Sequence, residues 1–233
     1  MTRPPGPAQH SPPAQHSDVA LVVPAGTGEP PGIPADVFAA AAAAYAAGHR
    51  LDMQSLARDL GLGRATLYRR AGNREQLLDE VLWWRARRLL AAQVQATSAC
   101  SGAVRITAVI AGVLRAIDGD RPLRTFLEAD PEAALRILTG ARSTVQCGMA
   151  AALRNLIDLE RGRGTFAADL DSPTLAYAIL RICEAFLYAD VIADRDRDIG
   201  RAVTVIEALL AGLDLGQRRP AASAARALAP ADV

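Results

Sequence analysis

Between Pro34 and Leu213 apolar side chains recur at three- and four-residue spacings, interrupted by glycine, proline and aspartate. Such spacings put side chains on one helix face, whereas a half-buried strand needs strict alternation, so the pattern predicts an all-α chain of about nine helices. The first runs through "PADVFAAAAAAYAAG", with Pro34 at its start, Asp36 in its first turn and Gly48 closing it. Met53 to Leu60 forms a short second helix with Leu56, Ala57 and Leu60 on one face, stopped by Gly61 in the left-handed conformation. Arg64 to Arg70 begins a third after only three residues. A fourth opens at Asn73, whose side chain caps backbone N–H groups while Gln76 reciprocates, and continues through "QLLDEVLWWRARRLLAAQVQ". Breaks at Ser101–Gly102, Gly119–Pro122, Asp130–Pro131, Gly162–Gly164 and Asp171–Pro173 leave five more helices. The last two, over 173–193 and 198–213, carry long apolar faces: Leu175, Ile179, Ile182 and Phe186 in one, Val203, Ile206, Leu209, Leu210 and Leu213 in the other.

The two ends lack this pattern. Residues 1–32 are crowded with proline and glycine, repeat "PAQHS" at Pro7–Ser11 and Pro13–Ser17, and read as a disordered tail. His10 and His16 within it form no closed ligand set, so no metal is expected. The predicted organisation is therefore a tail (1–32), a helix-turn-helix unit (33–78), a larger helical unit (79–215) and a second flexible tail (216–233).

Composition narrows the function. Half of the chain is apolar, enough for a sizeable core. The net charge is only +1, which excludes a polybasic nucleic-acid binder, yet Arg50 to Arg88 holds nine arginines against Asp52, Asp59, Glu75, Asp79 and Glu80. The positive charge is local. Every cation is arginine and none is lysine, which suits bidentate contacts and equally reflects a GC-rich genome. Cys100, Cys147 and Cys183 lie far apart without ligand spacing, and neither a secretory leader nor a long uncharged apolar run is present. A cytoplasmic protein is expected. No G-x-S-x-G, H-E-x-x-H or nucleotide loop occurs, and His49 is the sole histidine outside the tail, so neither an enzyme nor a cofactor is expected.

Two short helices joined by Gly61-Leu62-Gly63 have the form of a helix-turn-helix, whose second helix enters the major groove of DNA. Leu62 and Leu67 face inward onto Leu56, and Ala57 is small enough for a close crossing. Arg64, Ala65, Tyr68 and Arg69 then share the outward strip. Arg64 can reach a guanine edge, Ala65 a thymine methyl, and the Tyr68 hydroxyl a phosphate. Arg74, in a first helical turn, opposes the helix dipole unless a phosphate docks there, and is assigned to phosphate contact. The competing reading packs Tyr68 into the core and leaves the arginines as a solvated face.

The stretch "MQSLARDLGLGRATLYRRAGNREQLLDEVL", Met53 to Leu82, resembles the DNA-binding domain of the TetR family of transcriptional repressors. That family's pattern is A-x-x-x-G-hydrophobic-S-x-x-T-L-Y, then [SG]-[KR]-E-x-L-L. Ala57, Gly61, Leu62, Thr66, Leu67, Tyr68, Arg74, Glu75, Leu77 and Leu78 match it. Gly63 replaces the usual serine cap, which is mild. Ala71 replaces a bulky aromatic and leaves core space for Trp83 or Trp84 to fill. The resemblance implies DNA contact through Gln54, Arg64, Ala65, Thr66, Tyr68, Arg69 and Arg74. It also implies a homodimer joined through the last two helices, and a repressor released from a palindromic operator by a small molecule.

"RTFLEADPEAALRILTG", Arg124 to Gly140, is similar to the regulatory domain of the QsdR subgroup, associated with γ-lactone degradation, which implies a lactone-type effector. Candidate ligand contacts are the scattered polar or aromatic residues Trp84, Phe126, Gln146, Met149, Tyr177, Arg181 and Glu184. Arg181 and Glu184, three apart, can instead pair with one another. The alternative class is a helical adaptor that binds only protein. It explains the terminal helices and leaves the arginine-bearing turn unexplained.

Overall fold

The computed structural model describes residues 17–24 and 32–217. The PAQHS repeat from Pro7 to His16 and residues 218–233 of the C-terminal tail lie outside them. Helix α1 is Ser17–Val22; α2 (Ala35–Ala46), α3 (Met53–Asp59) and α4 (Arg64–Ala71) precede the long α5 (Arg74–Ala96). There follow α6 (Gly102–Asp118), α7 (Arg121–Ala129), α8 (Pro131–Thr139), α9 (Thr144–Gly162), α10 (Ser172–Leu187), α11 (Ala189–Ala193) and α12 (Ile199–Gln217). The described residues contain no strand. Nor among them is any helix long and apolar enough to cross a membrane, or any group of three metal-ligating side chains.

Local chemistry sets the early boundaries. The Asp52 carboxylate caps α3 by accepting from Gln54 and Ser55 N–H at 3.2 and 2.9 Å. Gly61 takes φ +63°, the left-handed turn that ends α3. Asn73 and Gln76 form the reciprocal capping box of α5, each bond 2.9 Å long. Val37, Phe38, Leu56, Ala57, Leu67 and Leu77 are buried and pack α2, α3 and α4 on the start of α5. Beyond them, α9 lies between α5 and α10, and α12 covers α6 and α10.

Three features depart from the sequence reading, giving twelve helices among the described residues rather than nine. The stretch expected as one helix after Pro131 breaks at 140–143. There the Asp79 carboxylate of α5 accepts from Ser143 Oγ, Thr144 N–H and Val145 N–H at 2.9, 2.6 and 3.0 Å. Locally, Gly140 ends α8 and Ser143 caps α9 by accepting from Gln146 N–H, a Ser-x-x-Gln signal that the sequence reading passed over, and a partner 64 residues away reinforces that start. The helix expected over 173–193 divides at Tyr188 into α10 and α11. The third departure is α1, inside the stretch read as a disordered tail. Its Asp18 pairs with Arg105 and Arg163, Val22 is only 1% exposed, and the Val22 carbonyl accepts from Asn155. Flanking proline and glycine hid a six-residue apolar segment that finds its partners far along the chain.

Ala71 is buried, but neither tryptophan is spent beneath it. Trp84 packs edge-on against Phe38 of α2, and Trp83 lies against Gly148 of α9, where a Cβ would come within 2.4 Å of the ring. Gly148 is therefore what lets α5 and α9 approach at that level.

Replacing Asp79 by alanine strands three donors at the start of α9; hydrogen bonds to a charged group contribute roughly 1.5–3 kcal/mol. We expect Asp79→Ala to lower unfolding free energy by about 2 kcal/mol in urea titrations followed by circular dichroism. An unchanged midpoint would show that water satisfies that helix end equally well.

Candidate functional site

The second helix of the helix-turn-helix presents the predicted strip to solvent. Arg64, Ala65, Tyr68 and Arg69 are all exposed, whereas Leu67 between them is wholly buried. Tyr68 is 50% exposed, which rules out its packing in the core. Neither Arg64 nor Arg69 forms an ion pair among the described residues, so their guanidinium groups are uncommitted. Gln54 is exposed on α3, and Thr66 is half-buried at the edge of the strip. Gly63 starts α4 in an extended conformation with no side-chain cap, leaving first-turn N–H groups open to an anion.

Arg74 sits differently from its expected role. Its Nε donates to the Leu51 carbonyl at 3.0 Å, its Nη1 to Asp130 at 3.0 Å, and its guanidinium lies over the Phe126 ring. The compensation for a cation in the first turn of α5 is thus an internal carboxylate. Arg74 ties the loop before α3 to the α7–α8 corner, and its charge is already answered.

A cavity of about 490 Å³ opens among α5, α6, α9 and α10. Trp84, Gln146, Met149 and Glu184 line it, as the sequence reading anticipated. Phe126, Tyr177 and Arg181 do not. Phe126 lines a smaller cavity of about 140 Å³ beside Arg74 and Leu51. Tyr177 is 62% exposed on the outer face of α10, with Arg181 over its ring. Arg181 reaches inward only through its 2.6 Å ion pair with Glu184, the pairing its spacing allowed.

Several wall residues carried no signal of their own. Tyr45 of α2 and Tyr188, after α10, both contribute, as does the Arg85–Asp120 pair at 2.8 Å. Burial pushes both phenols above the ordinary tyrosine range, so they are held protonated as donors. Arg85 is answered by Asp120 and stacks on Tyr45, while Arg88 is exposed at the rim over Trp84. The remaining wall is chiefly leucine, isoleucine and valine. Aliphatic positions on an amphipathic helix look alike in sequence whether they fill a core or line a cavity.

An all-helical chain with an exposed cationic second helix in a helix-turn-helix, and an apolar cavity among its later helices, has the build of a DNA-binding transcriptional regulator. Residues 101–211 match the family described as tetracyclin repressor-like, C-terminal domain. Among solved structures, the chain is similar to the R. erythropolis transcriptional repressor QsdR from the TetR family. The TM-score is 0.69 with 29% identity, covering 76% of this chain and 96% of that one. PfmR, a TetR family transcriptional regulator from Thermus thermophilus, aligns at TM-score 0.39 and 21% identity over 80% of this chain and 100% of that one. No curated protein matches. Residues 101–211 thus match a tetracyclin repressor-like C-terminal domain, and the chain shares the fold of a TetR-family transcriptional repressor.

Within the cavity Glu184 is the group whose charge is least settled. Burial pushes its carboxyl up to about 7, against the opposing pull of Arg181 and a hydrogen bond from Gln146. Arg181 is a third exposed, so solvent screens its attraction and burial prevails. Between the ordinary 4.5 and about 7 the folded chain therefore keeps a proton that the unfolded chain releases. Stability from the protonated form is complete below the lower value and lost as pH rises through the upper one. In urea titrations across this range we expect Glu184→Gln to flatten the decline. A slope identical to the parent's would mean that Arg181 keeps the carboxylate ionised throughout.

Proposed function

We propose that this chain is a TetR-family, ligand-responsive repressor whose α4 reads an operator and whose central cavity holds a neutral, largely apolar effector. The observation that carries the first half is the exposed strip of Arg64, Ala65, Tyr68 and Arg69 over a buried Leu67. We assign Arg64 at the start of α4 to a guanine edge, Ala65 to a thymine methyl, and Tyr68 and Arg69 to the flanking phosphates. Gln54 and Thr66 are assigned supporting contacts. The adaptor reading leaves two unpaired arginines beside an open helix N-terminus without a purpose.

The effector class follows from the charges in the wall. Arg85 is matched by Asp120 and Glu184 by Arg181, and Arg88, the lining cation without an ion pair among the described residues, stands exposed at the rim, so a charged ligand finds no free counter-charge in the interior. Tyr45, Tyr188 and the Gln146 amide offer donors. A lactone supplies carbonyl and ring oxygens as acceptors and, in an acyl derivative, a chain for the aliphatic wall; QsdR-like resemblance at Arg124 to Gly140 agrees with that choice. The second copy is assigned to α10 and α12, where Tyr177 and Val205 stand exposed beside the small residues Ala208 and Ala211.

Coupling runs through α7. Asp120 caps its first turn from the cavity wall, and Asp130 at its far end grips Arg74, which holds the Leu51 carbonyl just before α3. An effector that moves Asp120 displaces the helix-turn-helix, and it releases DNA only by preferring the displaced state.

We expect tight, salt-sensitive binding to DNA upstream of the chain's own gene in fluorescence anisotropy. Arg64→Ala combined with Tyr68→Phe should lose roughly 1–3 kcal/mol or more of it with helicity unchanged. Equally weak binding by both proteins would reject base reading and favour the adaptor. Saturating γ-lactone should weaken operator affinity by about 5- to 150-fold, and unchanged affinity would remove that ligand class.

A further inference from the structure

The cavity wall includes one element that belongs to neither helical unit. Val22, the last residue of α1, lines the cavity among α5, α6, α9 and α10, and α1 itself rests on α5 and α9. A six-residue helix has no stability of its own in water, because nucleation costs more than so few hydrogen bonds return. Its position must therefore be imposed by contacts with the rest of the chain.

Those contacts centre on a buried charge cluster. Arg105 of α6 and Glu160 of α9 are both fully buried and pair at 3.0 Å. Glu160 also accepts from Gly102 N–H at 2.6 Å and Thr165 Oγ1 at 2.7 Å, so its oxygens are committed. The second nitrogen of Arg105 reaches Asp18 Oδ2 at 2.9 Å and otherwise only the Val94 carbonyl at 3.4 Å. Arg163 closes the set by pairing with Asp18 and Glu160. With Asp18 present the cluster has two cations and two anions. Without it, two guanidinium groups share one carboxylate, one of them with no solvent access. The bundle thus carries an interior cation that only the N-terminal segment completes.

We infer that α1 is the movable wall of the effector cavity, with Asp18 the positioning residue that latches it. Every other cavity-lining helix runs nine residues or more, whereas the six residues of α1 are held on α5 and α9 by this cluster, the Asn155 contact and its valines. The shortest wall helix, which has no stability of its own, opens first, at a free energy well below global unfolding. Undocking of α1 therefore widens the way into and out of the cavity beyond the rim at Arg88, and Val22 contributes to what the cavity accepts. This rests on the reading of the cavity as the effector site.

The test uses the full chain and a neutral apolar fluorophore, N-phenyl-1-naphthylamine, as the probe in stopped-flow mixing and displacement. Asp18→Asn should speed both entry and exit by about tenfold, the factor corresponding to one charge-assisted hydrogen bond, with a smaller change in affinity. Val22→Ala, which leaves the ion pairs intact, should speed exit several-fold, and it serves if Asp18→Asn does not fold. Met149→Trp, filling the cavity from α9, is the reference and should abolish probe binding. Parental rates in both N-terminal variants, with binding lost in Met149→Trp, would overturn the movable wall and leave the cavity as the site. Undiminished binding by Met149→Trp would overturn both.

Discussion

Everything in this molecule hangs on the continuity of α5. Its 23 residues form one rod of about 35 Å that begins under the helix-turn-helix and ends beside the buried Arg105. Along that length it supplies the capping box that aims α4, the carboxylate that starts α9, the ring that settles on Gly148, and Trp84 in the cavity wall. A helix with intact hydrogen bonds cannot shorten or absorb a local push. Displacement at one end is therefore expressed as tilt at the other.

The short α7 runs beside this rod and is pinned to it twice. Arg85 meets Asp120 at 2.8 Å and Arg74 meets Asp130 at 3.0 Å. The two helical stretches between these pins, residues 74–85 and 120–130, are each about 15 Å long, so they match like opposite sides of a frame. Such a frame shears more readily than it stretches. Arg74 cannot be understood from its own helix: its charge sits unfavourably at the positive end of α5, and the carboxylate that answers it comes from the α7–α8 corner.

Where a feature depends on residues within a turn of one another, the sequence disclosed it. The Asn73–Gln76 box, the left-handed Gly61, the buried Leu67 with its exposed neighbours, and the Arg181–Glu184 pair are all of this kind. What escaped depends on partners brought from far away. Asp79 entered only the charge count, Arg74 was assigned to a phosphate and Asp18 to a tail, because Ser143, Asp130 and Arg105 are 64, 56 and 87 residues distant. The cavity was half readable. Its polar and aromatic members stood out against alanine and leucine, and four of the seven candidates face it. Periodicity alone could not say that Phe126 and Tyr177 turn elsewhere.

The two tryptophans of the chain are neighbours in sequence and strangers in environment. Trp83 is buried against α9 at the one level where glycine permits it, and Trp84 borders the cavity between Phe38 and the guanidinium of Arg88. The intrinsic emission of this protein is consequently a sum of two voices. One reports whether the seam between α5 and α9 is closed, and the other whether anything occupies the space beside it. A change in the surroundings of either ring is therefore open to detection in ultraviolet light, without any label.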